Sequence, residues 1–128
     1  RSKGSSSDVL VRNLERRLDN VVFRMGLATA RDTARQLVSH GHLKVNGKPI
    51  NIPSYRVEVG DVISVKPNNL KNLYFSSVLP RYIKKYTPPE WLEVDKDTLT
   101  GKVKRMPEAT ESGAEVKDIQ AIIEFYSR

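Results

Sequence analysis

Hydrophobic positions recur at helical spacing early in the chain and switch to a period of two near its middle. Leu10, Leu14, Leu18, Val21, Val22 and Met25 fall three or four apart and stop at Gly26. This predicts an amphipathic helix opened by Asp8 as its N-cap. Thr29, with Asp32 three residues on, is a variant of the capping box and predicts a second helix. Its buried face would be Ala30, Ala34, Leu37 and Val38, with Gly41 as its end, while Arg31, Arg35 and Ser39 step by four along a neighbouring face.

After Gly41 the alternation is strand-like. Leu43 and Val45 run into Asn46-Gly47, a pair suited to a type I′ hairpin turn, and Ile50 and Ile52 continue on the return. Pro53 interrupts; Tyr55, Val57 and Val59 alternate, Gly60-Asp61 turns, and Ile63 and Val65 alternate again. Pro67 to Lys71 reads as a loop and Leu73 to Lys85 as a short helix broken at Pro80. A hairpin is expected from Trp91–Val94 and Leu99–Lys104, then a polar loop. Val116, Ile119, Ile122, Ile123 and Tyr126 make a final amphipathic helix.

The fold class expected is α+β: two helices on a small antiparallel sheet, with an added hairpin and a terminal helix. Residues 1–7 would be a flexible lead-in, 8–66 the two-helix unit with its sheet, 67–114 an extension, and 115–128 the last helix. The chain does not begin with Met and is expected to be a fragment or a processed form.

Charge adds a functional direction. The 128 residues carry a net charge of +7, and lysine or arginine placed on phosphate gains free energy by releasing condensed counterions. Twelve basic residues stand against six acidic ones from Arg1 to Lys66, but ten against nine from Pro67 to Arg128. The excess belongs to the first half, which is the candidate binding face. Arg81, Lys84 and Lys85 form a smaller second cluster.

Candidate chemistry is thin. The absence of cysteine excludes disulfides, thiolate metal sites and cysteine nucleophiles, and fits a reducing, cytoplasmic setting. No apolar run approaches the roughly 18 residues of a membrane span, so no membrane partner is expected. His40 and His42 lack further ligands for zinc. Turn preference accounts for Asp95 and Asp97. Tyr55, Tyr74, Tyr82, Trp91 and Tyr126 are scattered and predict no paired-aromatic platform for bases. No phosphate loop or nucleophile motif is present, so neither an enzyme nor a cofactor is expected.

Between Arg17 and Val65 the residues Arg17-Leu18-Asp19, Gly26-Leu27, Thr29-Ala30-Arg31, Ala34-Arg35-Gln36-Leu37-Val38, Gly41, Lys44-Val45-Asn46-Gly47, Ile52-Pro53-Ser54-Tyr55 and Gly60-Asp61 follow in order. This series resembles the alpha-L RNA-binding motif over about two-fifths of the chain. With Arg17 to Val22, Trp91-Leu92-Glu93-Val94-Asp95 and Glu124-Phe125-Tyr126-Ser127-Arg128, nearly the whole chain resembles the carboxyl-terminal two-thirds of the bacterial-type small-subunit ribosomal protein S-four family. The family's further amino-terminal helical region has no counterpart here.

The resemblance implies binding to the five-prime domain of small-subunit ribosomal RNA early in assembly, near the mRNA path, beside other small-subunit proteins on a cytoplasmic or organellar ribosome. The residues expected to contact RNA are Arg17, Thr29, Arg31, Arg35, Gln36, Ser39, His40, Lys44, Asn46 and Lys48, acting on phosphate and ribose. Asn46 is expected to serve the turn first. Alternative readings are the RNA-docking module of a modifying enzyme, such as a pseudouridine synthase or a tRNA synthetase, and a stress factor that binds stalled ribosomal subunits.

Overall fold

The structure, a computed structural model, describes residue 10 and residues 13–107. The expected lead-in, the Asp8 cap and the terminal helix lie outside the described residues. The elements are α1 (Leu18–Arg24), α2 (Arg31–Ser39), β1 (Leu43–Val45), β2 (Lys48–Pro49), β3 (Val62–Val65), a 3₁₀ turn (Pro67–Lys71), a π turn (Tyr74–Val78), α3 (Leu79–Ile83), β4 (Leu92–Asp95) and β5 (Thr100–Val103).

The first helix is not continuous from Asp8. Residues 13–15 are helical, but Arg17 is extended, at φ −63° and ψ 141°, and α1 restarts at Leu18. The break has a long-range cause. A helix start leaves its first amides unpaired, and those of Leu18 and Asp19 donate to the carbonyls of Tyr55 (2.7 Å) and Pro53 (3.1 Å). The Val57 amide donates to the Arg16 carbonyl (2.9 Å), and Arg17 and Arg56 form an antiparallel bridge. Residues 53–57 thus cap and brace α1, where the alternation of Tyr55, Val57 and Val59 predicts a strand. That use of the backbone leaves Ile52 and Val59 each 56% exposed, against the expectation of alternating burial.

Both helices end in the same six-residue closure. The Leu27 amide returns to the Val22 carbonyl and that of Gly26 to Phe23; His42 returns to Leu37 and Gly41 to Val38. The pattern needs a left-handed residue at the turn, supplied by Gly26 (φ 89°) and Gly41 (φ 79°). The start of α2 departs from the expected capping box. Ala30 is the N-cap, no side chain caps it, and its extended φ of −141° puts it outside the helix, so it is exposed.

The sheet is antiparallel throughout, in the order β2-β1-β3-β5-β4. The β4–β5 hairpin therefore continues the β1–β3 sheet. Val62 pairs with Lys102 and Ile63 with Gly101. Asn46 at φ 51° and Gly47 at φ 81° make the expected tight turn. Leu43, Val45, Ile63, Val65, Leu92 and Val103 are buried in one core with Leu18, Val21, Val22, Met25, Leu37 and Val38 of the helices. Gly101 permits a close approach: a Cβ there would stand 2.7 Å from Met25 Cε.

Pro80 does not break the second helical stretch, which runs from the π turn straight into α3, where Pro80 is the second residue. Proline has no amide to return to the preceding turn. The chain widens before it, with the Leu79 amide bonding the Tyr74 carbonyl five residues back.

Candidate nucleic-acid interface

Five arginines of the first half, Arg16, Arg17, Arg24, Arg31 and Arg35, divide into two sets. On the α1 side each is held by the protein. Arg24 makes a bidentate pair with Glu15, Nε to Oε1 at 3.1 Å and Nη2 to Oε2 at 2.9 Å. Arg17 reaches both oxygens of Asp19, at 3.2 and 3.3 Å. Arg16 donates to the Val57 carbonyl at 3.1 Å and lies 3.8 Å from Glu58. Glu15 and Asp19 are almost fully buried, so these guanidiniums neutralise carboxylates that would otherwise be costly to desolvate.

In the α2 set neither arginine forms an ion pair among the described residues. Arg31 is partly exposed, while Arg35, Gln36, Ser39 and His40 are exposed. Arg31, Arg35 and Ser39 line one edge at four-residue steps, with Gln36 and His40 one position round. Thr29 lies exposed just before the helix. No side chain closes the start of α2, which leaves the positive end of its dipole beside Arg31. Together these groups offer cations, hydroxyls and an amide of the kind that hold phosphate and ribose oxygens.

Arg31 is also pre-positioned. Its guanidinium donates to Asn20 Oδ1 and lies over the Phe23 ring, 4.7 Å from the centroid. Asn20 is buried and donates its amide to Glu15 Oε1 at 2.6 Å and to the Glu15 carbonyl at 3.0 Å. A chain of polar contacts thus runs from Arg24 through Glu15 and Asn20 to Arg31. Sequence reasoning missed Asn20 and Phe23, because their role depends on α1 packing against α2.

The hairpin residues stand apart from this row. Leu43 and Val45 turn inward, so Lys44 points to the sheet face away from the helices. Lys48 is exposed. The Asn46 amide is committed within the protein: Nδ2 donates to Asp61 Oδ1 and Oδ1 accepts from the Val62 amide, both at 2.9 Å. Arg17, held by Asp19, has 18% of its side chain exposed. The geometry therefore joins Thr29, Arg31, Arg35, Gln36, Ser39 and His40 on one surface, with Arg17, Lys44, Asn46 and Lys48 at other places.

No group of three or more metal-ligating side chains exists among the described residues. No helix among them is long and apolar enough to cross a membrane. The Asp95 carboxylate closes its turn by accepting from the Asp97 and Thr98 amides at 2.9 and 3.1 Å. Those bonds, Thr98 first, hold its pKa below the usual value. Asp95 thus has the structural role expected of it, and Asp97 enters the turn through its backbone amide.

This two-helix unit with its sheet corresponds to a known domain: residues 16–63 match the S4 domain. The likeness extends past it in both directions. The chain is 49% identical to the small ribosomal subunit protein uS4 of Aquifex aeolicus, with all of this chain and 61% of that protein covered. It is 45% identical to uS4 of Chloroflexus aurantiacus (100% and 62% covered) and 51% identical to uS4 of Halothermothrix orenii (90% and 54%). The chain belongs to the uS4 family of bacterial-type small ribosomal subunit proteins, as the resemblance in its motifs implied. It spans about three-fifths of the length of the relatives it matches.

Proposed function

We propose that the chain binds small-subunit ribosomal RNA directly, as a structural constituent of the small ribosomal subunit, and acts early in its assembly without catalysing a reaction. The observation that carries this is the Arg31–Arg35 row, partly to fully exposed, on an uncapped helix of an S4 domain. Similarity along the whole of this chain to about three-fifths of proteins named small ribosomal subunit protein uS4 supports it over a docking module of an enzyme or a stress factor.

In this mechanism α2 lies along folded RNA, Arg31 and Arg35 take phosphates, and Thr29, Gln36, Ser39 and His40 take ribose or phosphate oxygens. Arg17, Lys44, Asn46 and Lys48 belong to the same proposed set as outer contacts, with Asn46 contributing mainly by shaping the hairpin. Neighbouring small-subunit proteins and mRNA are the further partners, on a cytoplasmic ribosome.

The test is equilibrium binding to the five-prime domain of small-subunit ribosomal RNA against an unrelated duplex of equal length. Tighter binding to the ribosomal RNA is the expected result. Equal and weak binding to both contradicts the proposal.

A further inference from the structure

The aromatic residues are not all scattered. Tyr82 of α3 stacks on Tyr86, one turn further on, with ring centroids 5.7 Å apart and planes at 30°. Both rings are partly exposed, and neither hydroxyl has a hydrogen-bond partner among the described residues. Tyr86 is held from two sides. Its ring lies against Gly26, where a Cβ would come within 2.6 Å, and its carbonyl accepts from Lys96 Nζ at 2.6 Å. Burial, above all, holds its phenol pKa above the usual value, with the nearby charge of Arg24 opposing. Arg81, Lys84 and Lys85 are exposed around the pair.

We propose that Tyr82 and Tyr86 form a platform on which an unpaired base of bound RNA stacks, with Arg81, Lys84 and Lys85 taking the flanking phosphates. Every base has a π face, so an aromatic pair fixed before binding offers sequence-tolerant affinity. Gly26 ends α1 and Arg31 begins α2, so the platform continues the proposed surface beyond residues 16–63. The inference rests on the RNA-binding reading and adds its second ligand class, a single-stranded nucleotide beside a folded helix.

The experiment uses the full chain and an RNA hairpin carrying 2-aminopurine either in its unpaired loop or in its stem. The loop probe should be quenched several-fold more than the stem probe. Tyr82→Phe should keep the quenching. Tyr82→Leu, with its fold checked by circular dichroism, should lose it and bind roughly tenfold more weakly. Should Tyr82→Leu not fold, photocrosslinking of the unaltered chain to a 4-thiouridine loop decides, and adducts must fall on Tyr82 or Tyr86. Equal quenching of both probes, unchanged quenching in folded Tyr82→Leu, or adducts only elsewhere overturn the platform. If binding still weakens in Arg31→Ala, the RNA-binding reading survives that result. No binding of either probe overturns both.

Discussion

Helices α1 and α2 pack together and draw on the same residue type for opposite ends. Arg16, Arg17 and Arg24 are bound by Val57 and Glu58, Asp19, and Glu15, which ties them to the fold, and of the three only Arg17 is also among the proposed outer RNA contacts. Arg35 is exposed and Arg31 partly exposed, and neither forms an ion pair among the described residues; they are the residues proposed to lead the contact with RNA. What separates the sets is the position of acid. Two nearly buried carboxylates, Glu15 and Asp19, lie on the α1 side, whereas the acid of α2, Asp32, is exposed. Net charge counted along the chain cannot register this difference.

The comparison is broken most sharply at Glu15. Glu15→Ala leaves the Arg24 guanidinium without its bidentate partner and Asn20 with only the backbone carbonyl of residue 15 as acceptor. It should cost about 3 kcal/mol of stability, since removing one partner of a buried pair strands the other. A urea melt measures this, and a loss below about 1 kcal/mol would mean that the network is not structural.

Arg31→Ala with Arg35→Ala should invert the pattern. Affinity for ribosomal RNA should fall by roughly tenfold or more, while stability changes by about 1 kcal/mol or less. Filter binding and the same melt report both. Asn20→Ala lies between the two: about 1–2 kcal/mol of stability lost through unsatisfied partners, with a smaller loss of affinity as Arg31 loses its tether. An affinity unchanged in that variant would show that pre-positioning by Asn20 is dispensable.

The smallest effect is expected far from both helices. The Asp95 pKa is lowered in the fold by the amides of its turn, so its contribution is present above the unfolded value and is lost as pH falls through the folded one. Asp95→Ala should therefore be slightly less stable at neutral pH, and the gap should close in acid. Melts at pH 7 and pH 2 check the sign.

Elements set by local chemistry were legible in the sequence. Asn46-Gly47 could be read as a tight turn because its backbone conformation suits those residues, and Gly26 and Gly41 marked both helix ends. The β4–β5 hairpin and the turn role of Asp95 were legible for similar reasons. Features set by distant partners were not. The interruption at Arg17 depends on carbonyls of Pro53 and Tyr55, and periodicity alone ran one helix straight through it. The exposure of Ile52 and Val59 follows from the same bracing. Within the candidate site, the Arg31–Arg35–Ser39 row was visible as a four-residue step. The tethering of Arg31 by Asn20 and Phe23 was not, nor was the Tyr82–Tyr86 stack, whose support comes from Gly26 and Lys96.

The most direct test sets one helix against the other in the salt dependence of ribosomal RNA binding. Logarithmic slopes are compared for the unaltered chain, for Arg31→Ala with Arg35→Ala, and for Arg16→Ala. The α2 double variant should lose roughly 0.9 in slope for each phosphate contact removed, and Arg16→Ala should keep the full slope. An unchanged slope in the double variant, or an equal loss in Arg16→Ala, would contradict the division of labour between the two helices.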